Sequence, residues 1–397
     1  MKLPIERTSS SRDGVPEADM TMGKRGRRST VQALSKSSTV PDRIVPQTAH
    51  CAAPRGRRAA RQASPAELKG AHRAALPARY DLQLATLALK PPDASGWLHE
   101  IKLDGYRMLA RIESGRVRLI SRNHLDWTGR FAPLVKALEQ LPVKCAALDG
   151  EVVIYDNAGV SDFQALQNAF AEPKAQGRMT FCVFDLLYWD GYDLRDVPLV
   201  ERKRALAEIL DSAPSSPRLQ FCAHLEQDGE LFLREACKSG LEGIISKRAD
   251  SRYVGRRSTS WLKIKCRNEQ EFVIGGYTEP SGSRVGFGAL LLGYYEAGSL
   301  RYAGRVGTGF DTARLRELIE RLRQIEQRES PFADLSRGPK GTHWVKPALV
   351  AQVSFGNWTG DHLLRQPVFH GLREDKSPLD VGRERATTPR EPGPRRH

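Results

Sequence analysis

The sequence has no run of about eighteen apolar residues, which excludes a helix of bilayer-spanning length. Its opening stretch, MKLPIERTSSSRDG, has neither an apolar segment nor a small-residue cleavage site, so no secretory leader is expected. Cysteine is sparse: Cys51, Cys145, Cys182, Cys222, Cys237 and Cys266 are scattered and none forms a CxxC pair. That spacing argues against a zinc ribbon, and reduced thiols in a cytoplasmic protein are the expectation. Aromatic residues make up only 7%, but hydrophobic residues reach 40% and charged residues 27%, which suits a soluble globular chain. At 397 residues the chain has room for about two or three cores.

Negative charge is in deficit, and unevenly so. The formal net charge is +15. Residues 1–75 hold 15 Lys and Arg against 6 Asp and Glu, and residues 378–397 hold 5 against 3, which leaves only about +4 for residues 76–377. A polyanionic partner is implied, with much of the nonspecific attraction in the basic tail. Residues 1–77 include KRGRR at 24–28 and RGRR at 55–58, with little periodic apolar patterning, and are expected to be disordered, as are residues 379–397. Met20 and Met22 leave open a natural start later than Met1.

Ordered structure is expected from about Tyr80. The stretch WLHEIKLDGYRMLARIESGRVRLIS alternates apolar and polar residues, with turn signals at Asp104-Gly105 and Ser114-Gly115, and reads as successive antiparallel strands. Leu134, Leu138 and Leu141 place a helix over 131–141. Strands follow at 147–156 and 179–189, helices at 162–171, 200–210 and 229–238, and two short strands in IISKR and WLKIK. Beyond Arg267 the texture changes to glycine-cut strands with one helix over 311–328, as a small β-barrel would have. The expected domains are residues 78–267 and 268–378, with a hinge near 266–270.

Six segments carry the chemistry. In Lys102-Leu103-Asp104-Gly105-Tyr106-Arg107, the lysine is either a hairpin decoration or a nucleophile. A nucleophilic amine must be neutral although free lysine titrates near 10.4, so nearby cations are expected to depress it, with Arg107, Lys263 and Lys265 as candidates. Next come Leu148-Asp149-Gly150-Glu151 and Phe181-Cys182-Val183-Phe184-Asp185, where Phe184 offers a flat face to a base or simply fills a core. Glu242 opens Glu242-Gly243-Ile244-Ile245-Ser246-Lys247, a carboxylate suited to a divalent cation bridging phosphates. In Trp261-Leu262-Lys263-Ile264-Lys265, strand alternation puts both lysines on one face. They would repel unless something negative, such as a triphosphate, lay between them and water; a lysine-blunted edge strand is the bland alternative. Last is Arg373-Glu374-Asp375-Lys376.

Taken in order, KLDGYR, LDGE, FDLLYWDG, EGIISK, WLKIK and REDK resemble the covalent nucleotidyltransferase superfamily, and within it the ATP-dependent DNA ligases, in particular the ligase module of bacterial ligase D of non-homologous end joining. HEIKLDGYRMLAR, GFGALLLGYY and PVFHGLREDK carry the finer likeness, and the resemblance covers about residues 78–378. It implies an α+β fold: a nucleotidyltransferase (ATP-grasp-like adenylation) domain of antiparallel sheets with flanking helices, followed by an OB-fold barrel.

It also implies roles. Lys102 would attack the α-phosphate of ATP, Glu100 would sit beside the adenine, and Phe184 would stack on it. Arg107 and Arg122 would lie near the nucleotide and the nick phosphate, Glu151 near ribose and metal, and Glu242 at a Mg²⁺ or Mn²⁺ ion. Arg257, Lys263 and Lys265 would handle phosphates, while Arg373, Asp375 and Lys376 would form a mobile motif orienting pyrophosphate. The implied partners are nicked or broken duplex DNA and a Ku-type end-binding protein, for a monomer in the bacterial cytoplasm, associated with the nucleoid. A full ligase D also carries polymerase and phosphoesterase modules, for which this length leaves no room, so a stand-alone ligase, or activities supplied by other chains, is expected. His124 and His370 stand where the family often has other residues, with little consequence expected. An RNA ligase or capping-type nucleotidyltransferase and a non-catalytic DNA-binding scaffold are the alternatives, separated by nucleotide labelling.

Overall fold

The computed structural model describes residues 64–170 and 172–386. Its strands are β1 (His72–Arg73), β2 (Leu84–Leu87), β3 (Trp97–Ile101), β4 (Tyr106–Glu113), β5 (Arg116–Ser121), β6 (Cys145–Val153), β7 (Thr180–Trp189), β8 (Tyr192–Asp193), β9 (Leu219–Phe221), β10 (Gly243–Arg248), β11 (Arg257–Lys265), β12 (Asn268–Thr278), β13 (Leu290–Glu296), β14 (Ser299–Val306), β15 (Glu326–Gln327), β16 (Thr342–Phe355) and β17 (Val368–Leu372). The helices are α1 (Ala132–Leu138), α2 (Phe163–Asn168), α3 (Pro173–Gln176), α4 (Leu199–Ser212), α5 (Gly229–Lys238) and α6 (Thr312–Arg323).

Three sheets result. The first runs β1-β8-β7-β6-β4-β5, with β9 added parallel to β7. The second runs β2-β11-β10-β3, in which β2 is parallel to β11 and the other pairs are antiparallel. Trp261, Tyr253, Leu187 and Leu109 fill the space between these two, and the second sheet's other face buries Ile244, Leu262 and Ile264 against Phe232 and Ala236 of α5. The third sheet, β14-β13-β12-β16-β15 with β17 on β16, closes over Phe272, Leu291 and Val353 and takes Leu318 and Leu322 of α6 into that core. The strand-rich second half with one inserted helix is as expected.

Three expectations are corrected. Ser114 and Gly115, both at positive φ, do make the hairpin joining β4 to β5, but Asp104-Gly105 does not pair β3 with β4. Instead the chain crosses there from the second sheet to the first. Gly105 is required because a Cβ would collide with the Val152 carbonyl of β6.

The described chain also begins before Tyr80. Leu68 is buried in the first core, that of the first sheet and α1, with Met108, Leu148 and Leu134, and His72 and Arg73 pair antiparallel with Asp193 and Tyr192, so apolar anchoring and strand addition hold residues assigned to the tail. Residues 381–386 are likewise attached: Val381 is buried in the third sheet's core, and the Tyr295 amide donates to its carbonyl at 2.7 Å. The remainder of both tails, residues 1–63 and 387–397, lies outside the described residues.

Finally, Cys237 at the end of α5 is disulfide-bonded to Cys266, next to Lys265. The two cysteines are 29 residues apart in sequence, and only the packing of α5 against β10 brings them to a Cα separation of 5.3 Å. The expectation of six free thiols fails for this pair. Cys51 lies outside the described residues, and Cys145, Cys182 and Cys222 are free.

Candidate active site

A cleft of about 1100 Å³ opens where the three sheets meet, and every candidate site residue lines it. Lys102 leaves the end of β3, its amide donating to the Gly243 carbonyl at 2.9 Å. Gly243 itself has φ of 151°, and a Cβ there would strike the Ile264 carbonyl of β11, so glycine lets β10 begin directly beside the lysine. That placement brings the Glu242 carboxylate into a direct ion pair with the Lys102 ammonium.

The electrostatics of Lys102 reverse the expectation. Burial presses its pKa down, but Glu242 and Asp104 outweigh burial and hold it above the ordinary lysine range. The cations expected to depress it are engaged elsewhere. Arg107 makes a two-pronged bond to Asp149, Nε to Oδ1 at 3.0 Å and Nη2 to Oδ2 at 2.7 Å, while Lys263 and Lys265 pair with Glu384. In this arrangement Lys102 is an ammonium.

One group of side chains suits a purine. Glu100, 2% exposed on β3, is clasped by Lys203 and Lys247, each 2.7 Å from one of its carboxylate oxygens. Both lysines hold Glu100 ionised against the cost of burial. The Lys247 ammonium lies 4.1 Å from the centre of the Phe184 ring and 4.2 Å from that of Trp261, and Arg107 lies 5.4 Å from Phe184. Phe184 is therefore held edge-on by Trp261 and presents part of its surface to the cleft, unlike a wholly buried core ring.

A second group suits anions. On β11, Leu262 and Ile264 are each 1% exposed, while Lys263 and Lys265 take the opposite face, as the alternation required. Burial lowers the Lys263 pKa to about 8 despite Glu384. Arg122 reaches the cleft 4.0 Å from Asp380, and Arg257 donates to the Ala85 carbonyl. From the far end of the chain, Arg373 bonds Asp375 through Nε and Nη2 at 2.9 Å each and lies 3.9 Å from Asp104. Its Nη2 also donates to the Gly105 carbonyl at 3.3 Å, and Lys376 meets Glu271 at 3.2 Å.

Two observations bear on bound groups. The carboxylate of Glu384 sits between two lysines as a stand-in anion, which fits a site built for phosphate oxygens. Burial raises the Glu151 carboxyl to about 7 in spite of Arg373 and Arg107 nearby. Among the described residues no three His, Cys, Asp or Glu side chains gather into a ready metal cage. Glu151 and Glu242 thus fit a Mg²⁺-like ion only in the manner of one or two carboxylates completed by substrate phosphates.

All thirteen residues given a nucleotide, phosphate or metal role in the sequence meet in this cleft. Lys203, Glu271 and Glu384 have sequence neighbours that carry no signature, and Lys247, within Glu242–Lys247, gains its role only from its place beside Glu100 and Phe184.

Residues 83–265 match the family model for the ATP dependent DNA ligase domain, and residues 283–376 that for the ATP dependent DNA ligase C terminal region. The SPbeta prophage-derived DNA ligase-like protein LigB of Bacillus subtilis is 30% identical over 209 residues, which covers 50% of this chain and 75% of that protein. The chain belongs to the ATP-dependent DNA ligase family. The ligase is also 48% identical over 312 residues to the multifunctional non-homologous end joining protein LigD of Pseudomonas aeruginosa, covering 77% of the ligase but 37% of LigD. It thus spans little more than a third of the length of that relative. A solved mycobacterial DNA ligase D complexed with ATP and MES matches at a TM-score of 0.58 and 38% identity, covering 77% of the ligase and 98% of that chain. The fold is accordingly a nucleotidyltransferase unit followed by an OB-fold. No helix among the described residues is long and apolar enough to cross a membrane.

Proposed function

We propose that the ligase seals nicks or ends in duplex DNA through an AMP carried on Lys102, in bacterial end joining. The carrying observation is that Lys102 and the Arg373–Lys376 segment, about 270 positions apart, line one cleft. In the first step the Lys102 amine forms a bond to the α-phosphorus of ATP, the bond to pyrophosphate breaks, and the amine's proton leaves. In the second, a 5′-phosphate oxygen of DNA takes the AMP and frees Lys102. In the third, a 3′-hydroxyl attacks that 5′-phosphate, loses its proton and expels AMP, closing the strand.

Phosphoryl transfer asks chiefly for positioning and for neutralising charge on phosphate oxygens. Lys263, Lys265, Arg122, Arg257 and Arg373 supply that charge, while Glu100, clamped as an acceptor by two lysines, and Phe184 hold the adenine. Glu151 and Glu242 would hold a Mg²⁺ or Mn²⁺ ion together with the phosphates. Such a cation would supply Lewis-acid polarisation of phosphate oxygens, and Glu242, engaged in holding it, would keep the Lys102 proton less tightly. Arg373, Asp375 and Lys376 serve the first step and withdraw for the others, which asks for a hinge near 266–270 between residues 78–267 and 268–378.

The end-joining role, a Ku-type recruiting partner, a monomeric state and a nucleoid-associated cytoplasmic location extend this reading. The name of the Pseudomonas relative supports the first of these. Incubation with labelled ATP or GTP, then mass spectrometry, tests it: an AMP-sized addition on Lys102 is expected. Labelling by GTP alone would make it a capping-type enzyme, and no adduct at all a scaffold.

A further inference from the structure

The chain does not end its structural work at the Arg373–Lys376 segment. After a short helical turn over residues 378–380, Val381 plugs into the third sheet's core and the backbone runs alongside β13, with Tyr295 bridged to Gly382. Gln270 fastens the next residues from the opposite side: its Nε2 donates to the Gly382 carbonyl at 3.2 Å, and the Glu384 amide donates to its Oε1 at 3.0 Å. Arg385 is held by Glu296 at 3.2 Å, and Arg383 lies 4.6 Å from the centre of the Trp358 ring. Held from both sides, the Glu384 side chain reaches away from the third sheet and onto β11 of the second.

There its two oxygens divide between the lysines. Oε1 accepts from Lys263 and Oε2 from Lys265 at 3.1 Å, with the carboxylate only 18% exposed. Two ammonium groups on one strand face repel, and any stable arrangement places an anion between them. A nucleotide triphosphate brings several such charges, and Glu384 brings one. The two cannot use the lysines together. The segment also lies across a second opening of about 960 Å³ that shares Arg122, Arg257 and Lys263 with the main cleft.

We propose that Glu384 is a built-in mimic of nucleotide phosphate, an autoinhibitory latch that ATP must displace from Lys263 and Lys265 before Lys102 can be adenylated. The inference rests on the ligase reading above and adds a regulatory contact to it. Displacement is favourable because a triphosphate offers these cations more negative charge than one carboxylate. Because the latch is fastened to the third sheet and grips the second, it also ties the two halves together until nucleotide arrives.

The test uses equilibrium binding to the full chain of α,β-methylene-ATP, whose α–β linkage cannot be broken by Lys102. If the open state is about a tenth of the population, Glu384→Gln and Glu384→Ala will bind this analogue about tenfold tighter than the parent, with the affinity for adenosine, which has no phosphate, unchanged. Glu384→Asp, which keeps the charge on a shorter arm, will fall between. Thermal melting of each variant checks that it is folded, and the three together guard against one substitution failing for that reason. Unchanged or weaker analogue binding in the folded variants overturns the latch, as does an equal gain for adenosine. The ligase reading is judged separately, by the AMP adduct formed on the parent with ATP. An adduct without a gain in the variants removes only the latch, whereas no adduct removes the reading beneath it.

Discussion

Lys102 and Glu242 form a direct ion pair although 140 positions separate them. The pair stands at the junction of β3 with β10, where Gly243 lets β10 start in close contact with β11. Its consequence is that the amine proposed as nucleophile is stored as an ammonium, whose proton is retained by the same carboxylate proposed to meet a cation. Lys102→Ala is expected to abolish the protein–AMP adduct, since Lys263 and Lys265, on the face of β11 turned to the cleft, are read as cations that pair with phosphate oxygens rather than as attacking amines. Intact-mass analysis after incubation with ATP measures this, and persistent adenylation would remove Lys102 from its role.

Asp375 is 1% exposed and aligns Arg373 through two hydrogen bonds. Asp375→Asn keeps the shape but weakens that alignment. Adenylation is expected to fall about 100-fold, as when one preorganised charge contact is lost. Sealing of a pre-adenylated nick is expected to fall far less. Equal losses in the two assays would show that this segment does not act selectively in the first step.

The pH behaviour of Lys263 has a definite sign. Burial lowers its pKa to about 8, so its positive charge is complete below that pH and is lost as pH rises through it. Affinity for α,β-methylene-ATP should therefore decline from pH 7 to pH 9. Lys263→Arg, whose guanidinium stays charged across this range, should flatten the decline. Calorimetric titration at several pH values reads the difference; an identical slope in the variant would assign the titration to another group.

Residues 1–63 hold 13 Lys and Arg against 5 Asp and Glu. Their removal should weaken nonspecific DNA binding and reduce its dependence on salt, because fewer counterions are released. Adenylation should be unaffected. The deletion stops short of Leu68, which belongs to the first core. A defect in adenylation would show that the basic segment contributes to the catalytic fold.

The Cys237–Cys266 bond closes a loop of about 30 residues and ties α5 to the end of β11. Chain-entropy reasoning assigns such a loop roughly 3–4 kcal/mol. Denaturant melts with and without reductant should differ by that order, while a Cys237→Ser, Cys266→Ser double variant should behave alike in both. Non-reducing peptide mapping that finds both thiols free in the oxidised protein would contradict the pairing.

Much of this molecule was legible in one dimension. Strand alternation over Leu262, Lys263, Ile264 and Lys265 is local physics, and it correctly separated two buried side chains from two that face the cleft. The helices over 200–210 and 229–238 were likewise visible because their apolar spacing is set within a few turns. The six segments point to the family through resemblance, because their residues and their order along the chain match its motifs. Tertiary structure alone decided which charges meet. Alternation cannot report that Asp104-Gly105 crosses between sheets, that Arg107 is taken by Asp149, or that α5 delivers Cys237 to Cys266. Nor can it report that Lys102 faces carboxylates. Pairing between charges falls off over a few ångströms in space and has no period along the chain, so the state of the nucleophile and its neighbours exists only once the sheets are assembled.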